Sequence, residues 1–223
     1  MFAGHIGAAL AIGRAERRLN VGVFITAALL LDLVLWVLVL LGVESAVIPG
    51  NFASTHQPEF VFPYSHGLVA SVAWSVFAGV AVLIGFNRPQ SSKLRAAALV
   101  GAAVFSHWLL DALVHAPELP LAGAGSMKIG LGLWNQMPVA LVVEAAIVLA
   151  GLYLFVRGTR LFRARAIALT VMSLLLLAVT AAGMTIAPPP PSAQAMAGSS
   201  LITLVIVCAL ACWLGKLPKE ERA

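Results

Sequence analysis

The chain has 223 residues, of which 61% are hydrophobic and only 10% are charged. Soluble domains carry about 25% charged residues, so this composition excludes an ordinary soluble protein and indicates an integral membrane protein. The formal net charge of +5 does not indicate a nucleic-acid partner, because the basic residues sit in short loops between apolar segments. That distribution is typical of membrane orientation.

The length fits one compact domain, residues 1–223, and the apolar segments predict an all-α, polytopic transmembrane helical bundle of about seven helices. Two cysteines, Cys208 and Cys212, lie in one apolar segment and form neither a disulfide framework nor a CxxC pair. The predicted helices, the first of them short, are residues 2–18, 21–43, 66–86, 96–116, 137–156, 166–187 and 199–215.

The loops between these helices alternate in charge. Thirteen of the fourteen basic residues fall on one side, and only Lys128 falls on the other. The positive-inside rule therefore predicts a cytoplasmic C-terminus, with loops 44–65, 117–136 and 188–197 outside. The thirteen are Arg14, Arg17, Arg18, Arg88, Lys93, Arg95, Arg157, Arg160, Arg163, Arg165, Lys216, Lys219 and Arg222.

The first segment, residues 2–18, leaves two arrangements open. It could lie along the cytoplasmic surface as an amphipathic helix, or insert as a short membrane helix whose N-terminus points outward. Its length gives about 25 Å at 1.5 Å per residue, close to the thickness of the bilayer core. Because the residues before Arg14 are apolar apart from His5, we predict insertion, with the N-terminus outside.

The segment SHWLLDALVH, residues 106–115, places His107, Asp111 and His115 four residues apart. On a helix such residues share one face, and a His and an Asp one turn apart can reach the same metal ion. The alternative is a helix end whose histidines bond to backbone or water. Three ionisable groups on one stripe at membrane depth favour a ligand site, since such groups are costly there. Pro117 predicts the end of this helix.

Ionisable residues of four predicted helices fall at a similar depth. Counted from the basic end of each helix, they lie about 14–20 Å above the inner boundary, with Asp111 one turn higher. They are His5, Asp32, His107, Asp111 and Glu144. His66 is the first residue of its predicted helix and lies nearer the outer surface. A tilt or a break of that helix would bring His66 to the same site. The alternative is two or three unrelated ion pairs between helices, such as Glu144 with a histidine.

Three or four histidines with two or three carboxylates are typical of a transition-metal site. Imidazole suits Zn, Fe, Mn or Ni, whereas an all-oxygen set would suit Mg or Ca. We therefore predict a divalent transition metal, with Zn preferred and Mn or Fe as alternatives, bound as one ion or two. A metal with an open coordination position can activate water, and hydrolysis is the commonest result.

The motifs GHIGAALAIG, LLLDLVLW, YSHGL, SHWLLDALVHAPELPL and GLGLWNQ occur in this order and are followed by Glu144. Together they resemble the YdjM-like family of bacterial inner-membrane metal-dependent hydrolases, over residues 1–145. The family's segments read GH near the start, PD in the second helix, SHS before the third and HxxxD in the fourth. The resemblance implies a multi-pass protein of the bacterial inner membrane. It also implies a metal-binding set made of His5, Asp32, His66, His107 and Asp111.

The motif style is also similar to zinc-dependent phospholipase C, which implies a phosphoester substrate. The chain departs from the family pattern in two places. Leu31 stands where a proline usually precedes the Asp32 position, which puts a helix break there in doubt. Gly67 follows His66 where Ser is usual, which removes a hydroxyl that could support the ligand.

Other polar residues of the outer side have weaker assignments. His115 belongs to the candidate metal set, and with Glu118 it could instead support the ligands or cap the helix end. Asn135 could orient a substrate oxygen, and Trp134 fits an interfacial belt residue. Lys128 could meet a phosphate or lipid headgroup, or be a solvated charge. Residues 146–223 carry no such motif and are predicted to form scaffold helices or a homo-oligomer surface.

The predicted function is metal-assisted hydrolysis of a lipid-like or amphipathic ester or phosphoester at the outer leaflet. Glu144 is the candidate general base. One alternative is a proton- or metal-ion-coupled transporter or channel that uses the same residues as a path. Below His5 the helices offer almost no ionisable groups before the arginines, which disfavours that path. Another alternative is a metal-stabilised membrane scaffold without turnover.

Overall fold

The computed structural model describes residues 1–85, 89–159 and 161–216. Arg88, Arg160, Lys219 and Arg222, which contribute to the predicted orientation, lie outside these ranges together with the rest of the tail. The helices are α1 (Phe2–Gly13), α2 (Val21–Ala28), α3 (Leu30–Leu40), α4 (Phe52–Thr55), α5 (Leu68–Gly85), α6 (Gln90–Val114), α7 (Met137–Val156), α8 (Arg163–Gly183) and α9 (Ala193–Leu214). The short strands are β1 (Ser45–Val47), β2 (Glu59–Val61), β3 (Leu119–Pro120) and β4 (Lys128–Ile129).

The predicted class, an all-α polytopic bundle, is confirmed. Among the described residues, five helices are long and apolar enough to cross a membrane, and the bent pair α2–α3 makes a sixth span if counted as one. The short α1 brings the count close to the predicted seven. Large aliphatic side chains on α5, α8 and α9 face outward, among them Val76, Val171 and Ile202, and this is the surface that contacts lipid.

Helix α1 is shorter and more central than the sequence predicted. It ends at Gly13 instead of Arg18, and its 12 residues reach only about 18 Å. Most of its residues are buried, because it packs against α2, α6, α7 and α8. Met1 is only 5% exposed, so this residue lies inside the bundle, and the outward direction of the N-terminus stays a prediction.

Two glycines allow α1 to approach α7 closely. A Cβ added at Gly7 would lie 2.7 Å from the carbonyl oxygen of Ile147, and one added at Gly151 would collide with the Gly7 backbone. Because neither position can accept a side chain without moving the helices apart, the pair fixes the spacing of α1 and α7. This spacing places His5 of α1 in the same cavity as Glu144 of α7.

The second predicted span, residues 21–43, is broken. Helices α2 and α3 meet at Leu29 with a bend of 47°. The break forms although Leu31 stands where the family pattern has proline. Its effect is to end α2 at Ala28, whose carbonyl then accepts a hydrogen bond from another helix, and to put Asp32 in the first turn of α3.

The end of the bundle at which α3 and α6 terminate is covered by two small antiparallel hairpins. Strands β1 and β2 pair with Ala46 opposite Phe60, and β3 and β4 pair with Leu119 opposite Ile129. Helix α6 ends at Val114, and His115 has extended backbone, as Pro117 predicted. The first hairpin and the turn that follows it carry Phe60, Phe62 and His66 over the end of α6.

Candidate metal centre

Four ligand atoms from three parts of the chain lie close together inside the bundle. They are Nε2 of His66, Nε2 of His107, Oδ1 of Asp32 and Oδ2 of Asp111. Helix α3 supplies Asp32, the turn before α5 supplies His66, and α6 supplies His107 and Asp111 one helical turn apart. Three of these residues, His66, His107 and Asp111, could together hold a metal ion.

The distances between these atoms match a compact coordination sphere. Nε2 of His107 lies 3.1 Å from Nε2 of His66 and 3.0 Å from the Asp111 oxygen, and His66 lies 3.4 Å from that oxygen. The Asp32 oxygen lies 3.6 Å from both histidine nitrogens. Zinc bonds to nitrogen and oxygen of about 2.0–2.1 Å place tetrahedral ligands about 3.3 Å apart, within this range.

Hydrogen bonds at the far side of each imidazole fix which nitrogen faces the cluster. Nδ1 of His107 lies 2.6 Å from the Ala28 carbonyl oxygen, which can only accept, so Nδ1 donates. The neutral ring then has a lone pair on Nε2. The Ala28 carbonyl is free for this bond because α2 ends there at the break.

His66 is held in the same way through a hydroxyl. The Ser65 Oγ lies 2.8 Å from His66 Nδ1 and 2.7 Å from a Glu44 carboxylate oxygen. Glu44 also accepts the backbone N–H groups of Tyr64 and Ser65. Since the carboxylate only accepts, Ser65 donates to it and accepts from His66 Nδ1, which again leaves the lone pair of Nε2 facing the cluster.

The cluster therefore presents two imidazole lone pairs, with an oxygen of Asp32 and an oxygen of Asp111 each within 3.6 Å of both nitrogens. Acceptors this close repel one another unless a metal cation or the proton of an imidazolium lies between them. Among the described residues, the ion-pair partners of Asp32 and Asp111 are histidines and the Met1 amino group, with no lysine or arginine within reach. The donor set of nitrogen and oxygen atoms is that of a transition-metal site.

Two further histidines stand at the edges of the cluster. The His5 ring stacks on the His107 ring at 3.7 Å between centroids, and its Nε2 lies 3.2 Å from Asp111 Oδ1. Together with Asp32 and His107, His5 forms a second group that could hold a metal ion. Its Nδ1 is buried and has no hydrogen-bond partner within the described part of the chain. His115 Nε2 is more distant, 3.9 Å from Asp111 Oδ2, and its Nδ1 contacts Glu118 at 2.5 Å.

A cavity of about 350 Å³ opens beside the cluster. Asp32 is the ligand most exposed to it, with 20% of its side chain accessible, while Asp111 is only 3% accessible. Aromatic rings close the outer side, since Phe62 packs on His66 and Trp134 packs on His115 with centroids 4.2 Å apart. The remaining wall is mostly apolar, which keeps the electrostatic interactions of the ligands strong.

Glu144, the candidate base, lines this cavity and is almost fully buried. Its Oε1 accepts the N–H of Gly4 at 3.0 Å, in the first turn of α1, where a carboxylate also compensates the helix dipole. Asn135 is exposed and lines a separate outer pocket with His56, so it does not face the cluster. Trp134, assigned to the interfacial belt from sequence, lines the cavity instead.

The structure brings five sequence-identified ligands, His5, Asp32, His66, His107 and Asp111, into one cluster, with His115 at its edge. Sequence reasoning missed the groups that hold them: the Ala28 carbonyl, Ser65 and Glu44. The serine before His66 in YSHGL was a usable signal for the hydroxyl. The family pattern has a serine after the histidine instead, but here a Cβ at Gly67 would lie 2.5 Å from the Pro63 carbonyl oxygen.

Comparison with protein-family models, with curated proteins and with solved structures finds no match for this chain.

Proposed function

We propose that the protein is a membrane-embedded, metal-dependent hydrolase that acts on a lipid-like or amphipathic ester or phosphoester at the outer leaflet. The observation that carries the proposal is the convergence of four acceptor atoms beside an apolar cavity. A site of this kind needs a cation, and the cavity leaves room for a substrate next to it.

His66, His107 and Asp111 would hold one ion, and His5, Asp32 and His107 would hold a second. Alternatively, Asp32, whose Oδ1 lies 3.6 Å from both histidine nitrogens, would be the fourth ligand of a single ion. Two imidazoles with two carboxylates suit Zn²⁺ best, with Mn²⁺ and Fe²⁺ as alternatives. Such an ion supplies a Lewis acid and an activated water. The exposed edge of Asp32 is the side from which a substrate in the cavity would approach the ligands.

Glu144 would take up a proton from water in the cavity. It lines the same space as Asp32 and His5, and its only hydrogen bond among the described residues is from Gly4. One carboxylate oxygen is thus held by α1 while the other is left to face the cavity. A buried carboxylate in this position is suited to general base catalysis.

The rival function, transport of protons or metal ions, requires a polar path to the cytoplasmic side. Fully buried apolar side chains lie directly below the cluster instead, one turn or more toward the inner arginines on each helix. They are Leu10, Phe24, Ile25, Val104 and Val148. This layer supports the hydrolase over the transporter, because an ion would have to cross it without ligands.

The proposal is tested by metal analysis and by turnover of the purified protein. We expect the wild type to retain a transition metal and to hydrolyse a member of a panel of carboxylic and phosphate esters. His107→Ala and Asp111→Ala should lose most of the metal and all turnover, whereas the buried control Cys208→Ala should lose neither. Equal metal content in all three variants would refute the ligand assignment. A metal-loaded wild type that turns over no ester would favour the scaffold.

A further inference from the structure

The wall of the cavity opposite the histidines is formed by α8 and α9, the helices for which the sequence indicated only a scaffold role. Small polar residues predominate where these helices face the cavity. The wall consists of Val179, Thr180 and Met184 on α8 and Ser199, Ser200, Thr203 and Leu204 on α9. The cavity thus runs from the metal ligands on α3 and α6 to the interval between α8 and α9.

This wall also reaches the outside of the protein. Val179 is 60% exposed, and Ser199 and Thr203 are exposed as well, although all three line the cavity. The exposed neighbours on the same helices, such as Leu175 and Ile202, are large and aliphatic. Since these residues belong to membrane spans, the surface that the cavity reaches is the lipid and not the aqueous phase.

A gap separates α8 from α9, and we call it the interval; it arises because the two helices pack against different partners. Helix α8 packs against α1 and α7, and α9 packs against α2 and α3, whereas α8 and α9 contact each other only sparsely. Thr180 lies three residues from the outer end of α8, about 5 Å, and Thr203 lies ten residues from the outer end of α9, about 15 Å. The interval therefore lies in the outer half of the bilayer.

The two threonine hydroxyl groups along the interval have hydrogen-bond partners within the protein. Thr180 Oγ1 donates to the Leu176 carbonyl at 2.8 Å, and Thr203 Oγ1 donates to the Ser199 carbonyl at 2.8 Å. Because their polar atoms are satisfied within their own helices, these side chains present methyl groups and small volume to the interval. The small volume of these threonine side chains keeps the interval open, whereas a side chain as large as that of Ile202 would close it.

We propose that this interval, which we call the α8–α9 slot, admits the acyl chain of a membrane-resident substrate while its ester group reaches the metal ligands. The proposal rests on the hydrolase function and specifies its substrate class. A cavity of about 350 Å³ is at the low end for small-molecule sites, so a whole phospholipid does not fit. The chains must then remain in the bilayer, and the slot is the part of the cavity wall that faces it.

The test fills the slot with one side chain. Thr203→Trp should block it, and Ile202→Trp is the matched control, since Ile202 is the adjacent residue and faces lipid outside the cavity. Each protein is placed in phosphatidylethanolamine–phosphatidylglycerol vesicles that contain a phosphatidylglycerol with a diazirine on one acyl chain. After illumination, labelled residues are located by mass spectrometry, and metal content is measured as the control for folding.

We expect labelling of Leu35 and Trp36, which line the cavity from α3, in the wild type and in Ile202→Trp but not in Thr203→Trp. Unchanged labelling in Thr203→Trp, or equal loss in both variants at normal metal content, would overturn the slot. Normal turnover of long-chain esters by Thr203→Trp would overturn it too and leave the hydrolase standing. The expected labelling pattern without turnover of any ester would instead refute the hydrolase and retain the slot.

Discussion

At the scale of single residues, the direction of each imidazole decides what the site can bind. His107 and His66 both donate through Nδ1, one to a backbone carbonyl and one to a serine held by Glu44. The protein thus determines the tautomer before any ligand arrives. Preorganised lone pairs raise metal affinity, because no hydrogen bond has to be broken when the ion binds.

Ser65→Ala tests this tautomer control. The change removes the acceptor of His66 Nδ1 but leaves the imidazole itself in place. We expect the protein to fold and its affinity for Zn²⁺ to fall by about 10–100-fold, as is typical of groups that support metal ligands. Ser54→Ala, in which an exposed serine of the same outer segment is changed, should bind Zn²⁺ like the wild type. An unchanged affinity in Ser65→Ala would show that the hydroxyl does not orient the ring.

Glu144→Gln separates the two roles of the buried carboxylate. Glutamine retains an oxygen that can accept the Gly4 N–H, so α1 should keep its position, but it cannot take up a proton. We expect normal metal content and a fall in hydrolysis of about 10²–10⁴-fold, the usual contribution of a general base. Loss of metal would make Glu144 a ligand, and full activity would exclude it as the base.

At the scale of elements, the site depends on the contact between α1 and α7. Gly151→Ala places a methyl group against the Gly7 backbone. We expect this to cost about 1–3 kcal/mol and to displace His5, so both the midpoint of thermal unfolding and the metal content should fall. Gly198→Ala is the matched control: it lies inside α9 with open space around it, and there alanine should stabilise by up to about 1 kcal/mol.

If Gly151→Ala behaved like Gly198→Ala, the close approach of the two helices would not be needed for the site.

At this scale too, one part of the candidate site was predictable from the sequence and two parts were not. The helical spacing of His107, Asp111 and His115 determines that they share a face, so this part of the site followed from the chain alone. The break at Leu29 has no proline or glycine to mark it, and only the packed structure shows it. The cavity lining by α8 and α9 was missed because it uses serine and threonine, which carry no distinctive spacing.

At the scale of the whole molecule, orientation follows from the distribution of charge. We predict that the hairpin of β3 and β4 is outside and the turn before α8 is inside. In a Cys208→Ser, Cys212→Ser background, Ala124→Cys should react with a membrane-impermeant maleimide in intact cells, and Ala164→Cys only after lysis. Both positions are exposed alanines, Ala124 in the β3–β4 hairpin and Ala164 in the first turn of α8, next to the turn that precedes it. The reverse pattern would place the metal centre toward the cytoplasm.

The central position of α1 has a consequence for biogenesis. The bond from Gly4 to Glu144 joins residues 140 positions apart, and α1 also packs on α8, which is translated later still. At synthesis rates of about 5–20 residues per second, α1 leaves the ribosome about 7–28 seconds before its partner on α7. During that time it is too short to span the bilayer stably, and His5 has no carboxylate beside it. The contact that places His5 beside Glu144 can therefore form only after α7 has been made, so the complete cavity is one of the last parts of the fold to assemble.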